Sequence, residues 1–350
     1  MGIGKHLRAA ASVLTHPLKP EDFLGLVNPL ASGKQLRGIV NSVTREASNS
    51  VSVRFRPGRE WSTHRAGQYV RIGVEIDGVR HWRSYSLSSA AGEAPAITVT
   101  DIGLVSGWIV NHTRAGDIWY LDIPQGDFVL PEHPRPLLMI TAGSGITPVM
   151  SMLRTLIGRR EDADVVVLHS ARTPDVALFT DELREMTQQH SGLRVHHRWT
   201  GTEGRLDLAT PDELDAAVPD WRTRAAYVCG PPALLDAAVD LWAAVPDTTL
   251  SVERFTPPIA VGEAGEGGRV SFTVSDRDVD IDGGTPLLQA GEEAGLLMRS
   301  GCRMGICRSC LTPLVSGRVR DLTTGEVHGD EGELIRTCVS APAGDVRIEC

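Results

Sequence analysis

No apolar run in these 350 residues approaches the roughly 20 that a bilayer-spanning helix requires, so no transmembrane segment is expected. The start, Met1 to Leu14, has some positive charge but only a short, weakly apolar stretch without a clear cleavage site, and secretion is not expected either. Basic charge is also short. The 35 Lys and Arg against 44 Asp and Glu give a formal net charge of −9, and the arginines are dispersed and form no stripe, which argues against a nucleic-acid partner. The 11 histidines are scattered, and the adjacent pair His196-His197 would point to opposite faces of a strand. No haem-attachment motif, two-His-carboxylate set or carboxylate-bridged di-iron pattern is evident, so the chain has no oxygen-activating centre of its own.

Cysteine is sparse, with six in all, yet four of them are placed tellingly. Cys302, Cys307 and Cys310 form Cys-x4-Cys-x2-Cys, and Cys338 follows at a distance, the plant-type spacing for a 2Fe-2S cluster. One short loop has to wrap two irons and deliver three thiolates, and Gly301 and Gly305 can take the positive φ that such a wrap needs. The rival is a structural zinc site, but zinc cysteines come as close pairs and the fourth ligand here stands alone. Thiolates kept for iron imply a reducing compartment, hence a cytoplasmic location. Met304 and Ile306, flanked by Arg299, Arg303 and Arg308, are candidates for a partner contact beside the cluster, or for packing that excludes water from it.

At 41% hydrophobic content the chain can build two or three cores. Residues 1–33 read as an N-terminal strap. Residues 34–134 alternate with period 2, and Asp77-Gly78 is a type I′ hairpin signal, which together predict a small antiparallel β-barrel. Residues 135–256 alternate strand and helix, which predicts an α/β domain on a parallel sheet. Residues 257–268 have linker composition, and 269–350 read as an α+β domain carrying the cysteines.

Thr141-Ala-Gly143-Ser-Gly145-Ile-Thr147-Pro148 falls between an apolar strand and a helix, the context of a phosphate-binding turn. Gly143 suits the tight turn, Gly145 a close approach to pyrophosphate, and Pro148 the first helical position. A third glycine is missing, and no acidic ribose-binding residue follows the second strand. Ser170 and Arg172 stand there instead, with Arg205 as a second contact, which favours NADPH over the alternative NADH. Upstream, Arg83-Ser84-Tyr85-Ser86 ends a strand and Val105-Ser106 opens a helix. An arginine for a phosphate, a tyrosine ring for isoalloxazine, a serine for its N5 edge and a helix start for pyrophosphate could together hold a flavin, whereas Arg-x-Tyr-Ser by itself more often reads as ordinary strand sequence.

In the order barrel, Arg-x-Tyr-Ser, G-x-G-x-x-P and Cys229-Gly230-Pro231-Pro232, the chain resembles the ferredoxin-NADP reductase family. Residues 36–350 are similar to its three-domain flavin reductases with a C-terminal plant-type 2Fe-2S ferredoxin domain (β-grasp). The resemblance implies that Arg83 and Tyr85 hold the flavin, that the Val105-Ser106 region receives its pyrophosphate, and that Cys229 sits against the nicotinamide. It also implies that Ser86, Cys229 and Glu253 line the hydride-transfer site, although Glu253 equally marks a strand ending before Pro257-Pro258. It favours FAD, with FMN as the alternative, and implies electron flow from NADPH through flavin to the cluster and out to a separate terminal oxygenase or membrane-bound desaturase. The segment Pro20 to Leu30 and the cluster loop resemble reductases of fatty-acyl desaturases, so a desaturase is the expected acceptor and membrane contact would come through it. A Rieske-type ring-hydroxylating oxygenase is the alternative acceptor, and an NADPH-binding redox sensor the competing class.

Overall fold

The computed structural model describes residues 30, 35–131, 136–159, 163–255, 265–296, 298–300, 305, 308 and 310–350. They divide into two compact units, one from the described part of residues 1–80 with 85–253, the other from 81–84 with the described part of 254–350. No helix among the described residues is long and apolar enough to cross a membrane.

The described strands begin with β1 (Arg37–Ala47), β2 (Ser50–Pro57), β3 (Tyr69–Ile76), β4 (Val79–Ser86), β5 (Ala96–Thr100) and, after helix α1 (Leu104–His112), β6 (Ile118–Leu121), all in the first unit except residues 81–84 of β4. Alternating side chains such as Val51, Val53 and Phe55 turn inward onto a core with Ile72, Leu87, Ile97 and Trp119. Asp77 and Gly78 both take positive φ, 52° and 80°, as a type I′ turn demands. The strands form one six-stranded sheet in the order β4-β3-β6-β1-β2-β5. A barrel was expected, and here the structure differs: past β4, Leu87 meets Ile97 of β5 in a single isolated bridge, so the two ends touch without a continuous ladder.

The same unit continues with β7 (Leu137–Ala142), α2 (Ile146–Gly158), β8 (Val165–Ala171), α3 (Thr180–Gln189), β9 (Leu193–Trp199), α4 (Thr200–Glu203), α5 (Asp212–Ala217), β10 (Ala225–Cys229), α6 (Pro232–Ala243) and β11 (Thr249–Glu253). The five strands run parallel in the order β11-β10-β7-β8-β9. Helices on both faces bury the sheet, which is why Leu137 to Ile140 and Val165 to Leu168 are unbroken apolar runs. The order reverses between β7 and β10, and in open α/β sheets the crevice beyond such a reversal is where ligands bind. Arg224 anchors the opposite edge: its buried guanidinium bonds Asp220 and Asp164 at 2.6 and 2.8 Å and also reaches the Leu137 carbonyl.

In the second unit, β12 (Gly265–Phe272), β13 (Arg277–Gly283), α7 (Leu287–Glu293), β14 (Leu311–Ser316), β15 (Val319–Asp321), β16 (Val327–His328), β17 (Leu334–Arg336), β18 (Ser340–Pro342) and β19 (Val346–Ile348) make two sheets, ordered β13-β12-β19-β14-β17 and β16-β15-β18. Val270, Phe272, Leu287, Leu314 and Ile348 fill the core between sheet and helix. The expected linker is shorter than its composition suggested. Gly265 and Gly268 already belong to β12, paired with Gly283 and Ile281, because a Cβ on Gly268 would lie 2.1 Å from the Gly344 carbonyl and only glycine admits that approach.

A nucleotide crevice, an orphaned serine pair and a buried thiol pair

At the mouth of the crevice, β7 ends in a single 3-10 turn, Gly143–Gly145, and α2 follows at Ile146, two residues earlier than Pro148 had suggested. Gly143 takes φ +55 with open space around it, as a tight turn requires. Gly145 carries a packing constraint that sequence did not show: a Cβ there would sit 2.2 Å from the Cys229 carbonyl, so its bareness lets the turns after β7 and β10 pack together. Thr147 is buried and donates its hydroxyl to the Ser144 carbonyl at 2.9 Å, closing the turn. Gly230 packs on Ala142, and Pro231 leads into α6.

One register row crosses the sheet at this edge: Glu253 beside Cys229, Cys229 beside Thr141, Thr141 beside His169, and His169 beside His197. Cys229 and Glu253 are therefore register neighbours. Burial pushes the Glu253 carboxyl up to about 7, and the charge of Asp127 adds to the effect. Burial likewise raises the Cys229 thiol well above its ordinary range, with the Glu253 charge contributing, so it is a thiol at neutral pH. His169 was not singled out by sequence. It is fully buried, bonds Thr141 Oγ1 through Nδ1 at 2.8 Å, and leaves Nε2 without a partner. Burial, assisted by the His197 charge, lowers its pKa to about 3 against the Thr141 bond, so it is a neutral strut. The only visible signal was a histidine inside the apolar run Val165 to Ala171.

Ser170 is buried at the end of β8, while Arg172 and Arg205 are exposed. Their loops meet, for the Gly201 amide bonds the Arg172 carbonyl at 3.0 Å. Arg198, also missed by sequence, grips the Glu203 and Gly204 carbonyls at 3.2 and 2.9 Å and pairs with Glu213, fixing the turn that precedes Arg205.

Along β4, Ser84 and Ser86 share one face, and both hydroxyls are buried without a partner. An orphaned pair of this kind fits a polar ligand edge that would complete it. Arg83 holds its own strand through the Trp82 carbonyl at 2.8 Å. Tyr85 is half-buried and packs, with Val105 and Trp108 of α1, on the first core. Ser106 is already engaged, accepting from the Ile102 amide and donating to the Gly103 carbonyl, both at 3.1 Å. That leaves the start of α1, and not this hydroxyl, to meet an anion.

Cys302 and Cys307 lie outside the described residues, as do Arg303, Met304 and Ile306. Cys310 and Cys338 are described, both buried, with sulfurs 3.2 Å apart. The ladder pairs Leu311 with Arg336, which brings the lone downstream cysteine back to the loop. That separation exceeds a disulfide bond of about 2.05 Å yet lets both thiolates reach one metal ion, so the donor set fits iron. Arg336 ties the region down, donating to the Gly305 carbonyl at 3.0 Å and to Asp321 at 2.5 Å.

A parallel-sheet nucleotide crevice at a strand-order reversal and a cysteine pair suited to iron define a pyridine-nucleotide-dependent iron–sulfur oxidoreductase. Residues 139–240 match the family model "Oxidoreductase NAD-binding domain" and residues 272–343 match "2Fe-2S iron-sulfur cluster binding domain". A relative, the NADPH oxidoreductase of Mycobacterium tuberculosis, is 44% identical over 353 residues, covering 98% of this chain and 92% of its own length. The ferredoxin reductase component of 3-ketosteroid-9-alpha-monooxygenase, also from Mycobacterium tuberculosis, is 30% identical over 285 residues, with 75% and 78% covered. Among solved structures, phthalate dioxygenase reductase shares the fold with a TM-score of 0.62 at 23% identity, over 92% of this chain and 99% of that one. The chain belongs to the ferredoxin-NADP reductase family, in the branch with a C-terminal 2Fe-2S domain, and is an NAD(P)H-dependent oxidoreductase.

Proposed function

We propose that this chain is the reductase component of a two-protein oxygenase system, drawing electrons from NADPH and delivering them singly to a separate oxygenase. The observation that carries the reading is the presence in one chain of a switch-point crevice with Cys229 beside Glu253 and a buried cysteine pair with sulfurs 3.2 Å apart. A bound flavin supplies the conversion of a two-electron hydride into single-electron steps. In this reading Gly143, Gly145, Thr147 and Pro148 shape the pyrophosphate turn, and Gly230 and Pro231 hold Cys229 against the nicotinamide. Ser170, Arg172 and Arg205 select the 2′-phosphate. Arg83, Ser84, Tyr85, Ser86, Val105 and Ser106 form the flavin seat, where the orphaned Ser86 hydroxyl supplies a hydrogen bond. Glu253, with its carboxyl at about 7, holds a proton near neutrality beside the crevice. Cys302, Cys307, Cys310 and Cys338 hold the cluster. The flavin domain would span residues 34–134, the nucleotide domain 135–256, and the ferredoxin domain would run to 350 in a cytoplasmic protein.

The acceptor is where the first expectation gives way. The ketosteroid monooxygenase component named above supports an oxygenase acceptor, whereas the fatty-acyl desaturase expectation rests on residues 20–30 and the cluster loop, which lie largely outside the described residues. Protein purified without oxygen should be brown-yellow, show flavin and cluster bands, and bleach with NADPH. A colourless zinc protein would refute the reductase. Coupled turnover with a Rieske oxygenase, and none with a membrane desaturase, is the expected outcome; the reverse result would restore the desaturase.

A further inference from the structure

Helix α2 has two jobs on two faces. Its apolar side, Val149, Met152, Leu153 and Leu156, is buried in a core shared with Ala66, Phe128 and Leu130 of the preceding segment. Its polar side places Ser151, Arg154 and Thr155 at i, i+3 and i+4, one stripe along the helix. Every member of the stripe reaches the same short loop, residues 88–91, which leaves β4 two residues after Ser86. Ser151 Oγ donates to the Ser89 carbonyl at 2.6 Å, Arg154 Nη1 donates to the Ser88 carbonyl at 2.5 Å, and the Ala91 amide donates to Thr155 Oγ1 at 2.9 Å.

The anchor has little slack. Arg154 forms a bidentate pair with Glu182 of α3, at 2.7 and 2.6 Å, and lies over the Phe179 ring at 5.0 Å. Thr155 donates its proton to the Ser151 carbonyl, leaving its lone pair for Ala91. On the far side, His64 contacts Ser89 through both carbonyl and hydroxyl, and Ser89 Oγ accepts from the Ala96 amide of β5 at 3.0 Å. The loop is therefore held between β5 and α2, the helix that starts at the Gly143–Gly145 turn.

We propose that Ser151, Arg154 and Thr155 are positioning residues, a clasp that sets the strand carrying Tyr85 and Ser86 in register with the nucleotide turn, so that occupancy of the turn is felt at that strand. The inference rests on the reading of these two places as flavin and nucleotide seats. Hydride transfer is steeply sensitive to donor–acceptor geometry, and a misplacement of about 1 Å costs on the order of 100-fold. Three loop contacts on one helix are a device for holding such a tolerance. A merely structural role would lower stability alone.

The test uses the full-length flavin- and iron-loaded protein with Arg154→Ala, Arg154→Lys, Glu182→Gln and Ser151→Ala. The first readout is amide hydrogen exchange of a peptide spanning residues 84–92, with and without NADP+. The wild type should show protection on adding NADP+, and Arg154→Ala should exchange faster and lose that protection. The second is anaerobic flavin bleaching by saturating NADPH. Arg154→Ala should slow it about tenfold or more while flavin content and NADPH half-saturation stay within about threefold, and Arg154→Lys should recover part of the rate. Should Arg154→Ala fail to fold, Glu182→Gln and Ser151→Ala carry the same expectations at smaller amplitude. Unchanged bleaching rates, or exchange at 84–92 indifferent to NADP+, would overturn the clasp. A wild type that NADPH does not bleach would overturn the functional reading instead.

Discussion

Glu253 shows how one burial event becomes a pH dependence. With its carboxyl raised from 4.5 to about 7, the folded chain keeps a proton that the unfolded chain has released between those values. The cost of burying it is therefore absent below pH 4.5, grows through the window, and is complete above about 7. Glu253→Gln should stabilise the protein at pH 8 by up to roughly 3 kcal/mol, less whatever water at this partly exposed site screens, and by little at pH 4.5, as urea unfolding at both pH values would show. Arg172 and Arg205 make no ion pair among the described residues, so their removal should cost little stability. Replacing both with alanine should raise KM for NADPH about 10- to 100-fold and leave NADH within about threefold, measured by steady-state ferricyanide reduction. Residues whose chemistry depends on local spacing were legible from sequence: the cysteines, the glycine turn, and Cys229 before Gly-Pro-Pro. His169 and Arg154 were not, because each acts through a partner far along the chain, and a polar stripe on a helix reads as a solvated face until the opposing loop is in place; Arg198 acts on the nearby turn at Glu203 and Gly204, where a strand-end arginine reads as solvated.

Element boundaries followed the periodicity closely in strands such as Tyr69–Ile76, buried along most of its length, and Leu193–Trp199 at the sheet edge, where exposed Arg194 and His196 alternate with more buried neighbours. They slipped where tertiary contacts overrode local preference. Pro148 suggested a helix start, yet the helix runs from Ile146, since the 3-10 turn Gly143–Gly145 feeds it directly. Gly265 to Gly268 looked like a linker because neither the Gly283 nor the Gly344 backbone it approaches is visible locally. Gly145 gives the sharpest test at this scale. Gly145→Ala must displace the turn after β10 and should cost about 1–3 kcal/mol with a raised KM for NADPH, whereas Gly143→Ala, strained in φ but sterically open, should cost about 1–2 kcal/mol. Urea titration of both variants separates crowding from backbone strain.

At the scale of the molecule, a nucleotide-binding α/β region followed by an iron–sulfur region was readable from the change of period and the cysteine spacing, while the identity of the acceptor was not, because partner choice resides in surface detail that no period encodes. Two compact units make a separable loss of function the expectation. Removing iron should lower electron delivery to a protein acceptor by more than tenfold yet leave NADPH bleaching of the flavin within about twofold, since the nucleotide crevice and Ser86 lie in the first unit. Stopped-flow absorbance with iron-depleted and reconstituted protein checks this.

The closeness of Cys310 to Cys338 has a further consequence for handling. Two sulfurs 3.2 Å apart are about 1 Å from a covalent bond, so protein that loses its iron in air should zip this pair shut, with dioxygen taking the two electrons and two protons. Titratable thiols would fall by two, and rebuilding the centre would then require a reductant before iron and sulfide are of any use.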